Sequence, residues 1–203
     1  MATGFAAMAG MVDAIGFLAS GGFFLSFMSG NSTRLSIGLA EGAPYILLVA
    51  ALIASFVGGV FVGSLTGKGK DISVRQRQAR ILVGIAILLF IAPIIADFGL
   101  LIPAICVAAF CMGAENTLYE RDGSVSFGLT YMTGALVKIG QGLAIMVKGG
   151  ESTAWLPYLF LWGGLIGGAM IGASAFHVCG IFSLWLPAAL STVFAGITFL
   201  TKS

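Results

Sequence analysis

Residues 46–65 read ILLVAALIASFVGGVFVGSL, a helix-length run without a single charge. About 20 such residues in a helix match the ~30 Å hydrocarbon thickness of a bilayer. Comparable runs occupy 3–19, 44–66, 80–97, 99–118, 155–175 and 179–201. Two further stretches, 22–41 and 126–147, are long enough but polar in the middle. Apolar residues make up 59% of the 203-residue chain and charged residues only 9%, with a mean hydropathy of +1.06. Soluble domains carry about 25% charged residues, so this chain has too few to cover a water-facing surface. The expected fold is an all-α polytopic integral membrane protein of eight hydrophobic segments: six ordinary spans plus two polar stretches that are broken or re-entrant.

The first segment, MATGFAAMAGMVDAIGFL, has no basic residue and carries Asp13 in its middle. Secretory signals start with a basic region, so this segment is read as a retained first helix. The long hydrophilic connection, 67–79, holds Lys68, Lys70, Arg75 and Arg77 against one acid, Asp71. The positive-inside rule places this loop on the cytoplasmic side; a patch for nucleic acid is the less economical reading, and no nucleic-acid partner is expected. Crossing by both polar stretches puts the N-terminus outside, whereas re-entry leaves six crossings with both termini inside. Length favours the first and charge bias the second.

The chain also repeats itself. MSGNSTRLSIGLA (28–40) aligns without gaps to MTGALVKIGQGLA (132–144), AGMVDA (9–14) to MGAENT (112–117), and GGVFVGS (58–64) to GGAMIGA (167–173). Three blocks in one order indicate two homologous halves, 1–98 and 99–203, of four segments each, forming one compact membrane domain. Duplicated membrane units place their sites where equivalent stretches meet. Gly59, Gly63, Gly168 and Gly172 fall at small-xxx-small spacing and read as helix-packing positions.

The repeated phrases carry the polar chemistry. Gly30, Asn31, Ser32 and Thr33 are poor helix-interior residues and good helix starters, which predicts a helix broken inside the membrane and restarted around Asn31. Free N–H groups at such a restart favour an anion or the negative end of a dipole, and Arg34 lies about one turn further on. In the second half Thr133 and Gly134 persist and Lys138 replaces Arg34. Charged groups in hydrocarbon are costly and mark pathways or relays. Asp13, Arg34, Glu115 and Lys138 allow a neutral set: Asp13 paired with Arg34, and Glu115 with Lys138. These are read either as structural ion pairs or as a polar site at the junction of the halves, with Asn116 standing opposite Asp13 in the alignment. The candidate solute-binding residues are therefore Asp13, Gly30, Asn31, Ser32, Thr33, Arg34, Glu115, Asn116, Thr133 and Lys138.

Other features carry less. His177 reads as interfacial rather than as a proton switch. Cys106, Cys111 and Cys179 lie in apolar stretches and read as buried thiols, with neither disulfide nor metal expected. No catalytic signature is present among the familiar motifs, so no enzyme and no cofactor are expected.

The run AGMVDAIGFLASGGFFLSFMSGN resembles the bacterial DUF1275 family, also called YoaK or UPF0700. The family's A-G-x-x-D-A-x-G-F is matched by Ala9, Gly10, Asp13, Ala14, Gly16 and Phe17, and its M-T-G-N-T by Met28, Gly30 and Asn31, with Ser29 and Ser32 in place of Thr. Its second-half G-x-Q-N-A and T-x-x-T-G are met by Gly113, Asn116, Thr130, Thr133 and Gly134, while Glu115 replaces Gln and Thr117 replaces Ala. The resemblance covers nearly the whole chain and implies a bacterial membrane protein without specifying an activity. The residues themselves lead to a secondary transporter or channel-like carrier of a small polar or anionic solute, embedded in a lipid bilayer. The alternative is a non-transporting membrane subunit, assembly factor or lipid-binding scaffold, with a homodimer or another membrane protein as partner.

Overall fold

The computed structural model describes residues 1–66, 73–118, 132–150 and 153–200, together with the backbone of 120–121 and 124–125. Lys68, Lys70, Asp71 and Thr130, and the first residues of the stretch 126–147, lie outside the described residues.

The chain is helical: α1 (Ala2–Ser20), α2 (Met28–Glu41), α3 (Ile46–Leu65), α4 (Val74–Asp97), α5 (Leu101–Glu115), α6 (Met132–Val147), α7 (Leu156–Cys179) and α8 (Trp185–Leu200). A short 3-10 turn, Gly180–Leu184, joins the last two. Between α5 and α6 lies an antiparallel hairpin of two-residue strands, β1 (Glu120–Arg121) and β2 (Ser124–Val125). Four helical stretches are long and apolar enough to cross a bilayer: α1, α3, α4 and the run Leu156–Leu200, which contains α7 and α8. Helix α5 is apolar but shorter, because residues 116–118 leave the helix as a turn. Helix α4 begins on a capping box: Ser73 Oγ accepts from Gln76 N at 3.2 Å, and Gln76 Oε1 accepts from Ser73 N at 3.1 Å.

The polarity is that of a protein dissolved in lipid. Large apolar side chains point outward along α3 and α7, with Leu47 82%, Phe61 64% and Phe160 63% exposed. An apolar outer surface of this extent is stable only against something equally apolar. The core is apolar too, with Met8, Ile15, Leu52, Leu82, Leu89, Ile105 and Met112 fully buried. Buried hydroxyls turn back onto helix carbonyls, as where Ser191 Oγ donates to Leu82 O at 2.8 Å across α8 and α4.

Glycine sets the closest approaches. Helix α1 packs along α7, and α3 along α5; α4 packs against α8 and α5, while α2 and α6 lie outermost, on α3 and α7. At Gly10 a side chain would run into Leu165 O and Ala169 N, and at Gly168 into Ala7 O. At Gly113 it would run into Phe56 O and Val60 N, and at Gly59 into Phe110 O. These are backbone-on-backbone contacts of the kind that small residues permit between membrane helices.

Candidate functional site

The break after α1 lies one step earlier than its sequence suggests. Helix α1 stops at Gly21, with φ 75°, and Gly22 follows at φ 115°, a backbone geometry that side chains rarely adopt. Residues 23–27 then run unwound to the start of α2 at Met28, rather than to a restart around Asn31. Ser32, Thr33 and Ser36 do not break the helix, because their hydroxyls donate to the carbonyls of Met28, Ser29 and Ser32, respectively, one turn back.

An unwound segment leaves backbone groups without helical partners, and each must be satisfied elsewhere. Two of the candidate residues do this. Asp13 Oδ1 accepts from the backbone N–H groups of Leu25 and Ser26, both at 2.7 Å, and Oδ2 accepts from Ser26 Oγ at 2.6 Å. Asn31 clasps Phe24 on both sides: its Oδ1 accepts from Phe24 N at 3.0 Å and its Nδ2 donates to Phe24 O at 2.6 Å. Gly30 leaves room for the Phe24 ring. Asp13, Gly30 and Asn31 thus build the break.

The expected ion pairs do not form among the described residues. Asp13 is occupied by the unwound backbone, and Arg34 instead lies over the Phe23 ring, 5.0 Å from its centre. Lys138 is exposed on α6, whereas Glu115 is completely buried with no hydrogen-bond partner for either oxygen. Register is held by backbone capture instead. A double-mutant cycle of Asp13→Asn with Arg34→Ala, read from thermal unfolding in detergent, is expected to give a coupling below about 0.5 kcal/mol. Arg34→Ala alone is expected to cost about 0.5–1 kcal/mol through the lost stacking on Phe23.

The starts of α2 and α6 come together. A cavity of about 470 Å³ is lined by Ser26, Phe27, Met28 and Ser29 from the break and the start of α2, and by Met132, Thr133 and Gly134 from the start of α6. Phe56 and Val60 of α3 and Asn116 at the end of α5 complete it. Among the described lining residues the polar side chains are three hydroxyls and one amide, with no charged group. Asn116 is anchored by donating from Nδ2 to Met112 O at 2.9 Å. Of the ten candidate residues, Asn116 and Thr133 line this space. Asp13 reaches it through Ser26, Glu115 is the neighbour of Asn116, and Ser32, Thr33, Arg34 and Lys138 do not line it. Ser29 was legible as the partner of Thr133 in the alignment; Ser26 carried a weaker signal, a lone hydroxyl in an apolar run directly before the phrase.

Comparison with known proteins places these features. The model of the DUF1275 family, described as a protein of unknown function, matches residues 1–197. The chain is 34% identical over 196 residues to the UPF0700 transmembrane protein RA0705 of Rhizobium meliloti (strain 1021), covering 95% of this chain and 82% of that protein. It is 24% identical over 141 residues to the UPF0700 transmembrane protein YoaK of Bacillus subtilis (strain 168), covering 67% of this chain and 63% of that one. No solved structure matches.

Proposed function

Because this chain belongs to the DUF1275 family, whose relatives here are named transmembrane proteins, we propose that it is a carrier or channel-like transporter. Its site is the cavity between the starts of α2 and α6. The observation that carries this reading is the meeting of the repeated phrases there, Met28-Ser29 from one and Met132-Thr133-Gly134 from the other. Two helix starts bordering one cavity favour the negative end of a solute, while the hydroxyl and amide lining suits a small polar molecule. The cargo is a small polar or anionic solute, with zwitterions included.

Glycine packing supports the duplication on which this rests. When the aligned blocks are extended without gaps, Gly10 against Leu165 and Ala169 becomes Gly113 against Phe56 and Val60. In the same way Gly168 against Ala7 becomes Gly59 against Phe110, and Gly172 against Met11 becomes Gly63 against Ala114. Gly38 lies beneath Tyr45, and its aligned partner Gly142 lies beneath Trp155, the residues that directly precede α3 and α7. Each half of four segments lends its first helix to the third helix of the other, an exchange that puts the junction at the pseudo-symmetry axis, where transporters bind cargo. The protein sits in the bacterial cytoplasmic membrane with 67–79 on the cytoplasmic side.

Reconstitution in phosphatidylethanolamine–phosphatidylglycerol vesicles tests the reading, with urea, glycine, acetate and phosphate as neutral, zwitterionic and anionic probes. Asn116→Ala is expected to weaken binding of the transported probe about tenfold, the loss of one good hydrogen bond. Arg34→Ala with Lys138→Ala is expected to leave it unchanged. Flux that ignores Asn116→Ala together with a cavity-filling Ser29→Phe removes the site.

The second reading is a non-transporting subunit or scaffold. The outermost placement of α2 and α6, each with a broad exposed face, favours it, since such faces suit a partner helix or a second copy. Purification in mild detergent distinguishes the two: a stoichiometric unrelated partner and no probe binding by the isolated chain would favour the scaffold.

A further inference from the structure

We infer that Glu115 is a proton-binding site beside the cavity, which couples the transport proposed above to proton movement. The inference rests on that transport reading for its role, but the proton itself can be tested without it.

Glu115 ends α5, is 0% exposed, and neither of its oxygens has a hydrogen-bond partner among the described residues. An ionised carboxylate in such a place, without donor or counter-charge, is far costlier than a neutral acid. The groups around it offer no relief. Helix α1, which packs on α5, carries the buried Asp13, and α5 itself carries Cys111 one turn before Glu115. Helix α3 carries no titratable residue between Ile46 and Leu65. From α4, Arg80 lines the outer groove shared with Cys111 and Ala114, and Arg77 donates to Thr66 O and Gly63 O at the end of α3; neither bonds a Glu115 oxygen.

The two acids differ in what holds them. Asp13 has three donors on its oxygens, and Glu115 has none among the described residues. A buried carboxyl without donors is the better place for a proton than one that accepts three hydrogen bonds. Both acids connect to the cavity through one residue: Asp13 through the Ser26 hydroxyl, Glu115 through the adjacent Asn116. When water reaches Glu115 in the opposite access state, the carboxylic acid hands its proton to that water and becomes a carboxylate; reclosure on a dry site requires the proton back. Intramembrane acids serve as relays in this manner.

The test uses the full chain in phosphatidylethanolamine–phosphatidylglycerol vesicles. Infrared difference spectra between acidic and alkaline buffer are expected to show a protonated-carboxyl carbonyl band that titrates in the parent and is lost in Glu115→Gln, a neutral variant of nearly the same shape. A band that persists in Glu115→Gln, or one absent from the parent, overturns the proton site whether or not any solute is carried. In the second arm, a pH gradient drives uptake of whichever of urea, glycine, acetate or phosphate the parent transports. Glu115→Gln is expected to keep exchange without a gradient and to lose gradient-driven accumulation. Accumulation equal to the parent overturns the coupling and leaves the carrier standing. Absence of transport by the parent overturns the carrier and with it the coupling, and the infrared arm alone then decides the proton.

Discussion

Replacing Asp13 by alanine is expected to unfold the first break and to lower the melting temperature in detergent more than any substitution in the cavity lining. The carboxylate meets the backbone N–H groups of Leu25 and Ser26, both at 2.7 Å, and the Ser26 hydroxyl at 2.6 Å, in a setting where Leu25 is 0% and Ser26 2% exposed. Removing it strands two buried donors, at about 1–3 kcal/mol each, or about 2–6 kcal/mol together. Asp13→Asn separates charge from hydrogen bonding. Its Oδ1 still accepts from both N–H groups, while its amide nitrogen donates to the Ser26 hydroxyl, a neutral hydrogen bond in place of a charge-assisted one. The asparagine variant should therefore melt between the parent and Asp13→Ala, and Ser26→Ala should cost the asparagine variant less than it costs the parent. An alanine variant that melts with the parent would mean that the unwound segment is held by Asn31 alone, through its paired contacts with Phe24. Probe binding should fall together with the melting temperature, because Ser26, Phe27 and Met28 enter the cavity wall only while the segment is held in place.

This dependence also shows what could be read from the amino acids and what could not. Long apolar runs mark α3 and α4 directly, since lipid demands a helix wherever the backbone cannot reach water. The polar interruption was legible as well, but its position was not. Ser, Thr and Asn advertise a helix start, yet Ser32 and Thr33 satisfy themselves one turn back and stay within α2. The break falls instead at Gly21 and Gly22, where positive φ is cheap, and it survives because Asp13, on the preceding helix, supplies an acceptor. That partnership is a tertiary fact, invisible to periodicity. The same limit explains the ion pairs expected of Asp13 with Arg34 and of Glu115 with Lys138. Counting charges balances them, but only the packing reveals that Asp13 is already engaged, that Arg34 has Phe23 within reach, and that Lys138 faces outward from α6. Of the residues that line the cavity, Asn116 and Thr133 were legible in the amino acids, whereas Ser26, whose neighbours are all apolar, was missed.

Gly168→Ala is expected to be the most damaging single methyl group in the protein. The added carbon would collide with the backbone of Ala7, its carbonyl oxygen foremost, and backbone cannot rotate away as a side chain can. Helix α7 would have to withdraw from α1 along their shared length, loosening the contacts of Gly10 and Gly172 with it. Overpacking of a close interface costs about 1–3 kcal/mol and sometimes more, and the upper part of that range is expected here. Gly59→Ala should behave alike, because the equivalent methyl meets Phe110 O of α5. Gly167→Ala and Gly163→Ala supply the controls: both lie on α7 with open space where the methyl would go, so each should be neutral or slightly stabilising, as alanine is the better helix former. A cycle combining Gly10→Ala with Gly168→Ala sharpens the test. One outward displacement of α7 relieves both clashes, so the double variant should lose less than the sum of the singles. Strict additivity would mean that α1 and α7 yield locally at each glycine, and would remove the rigid seam between these two helices.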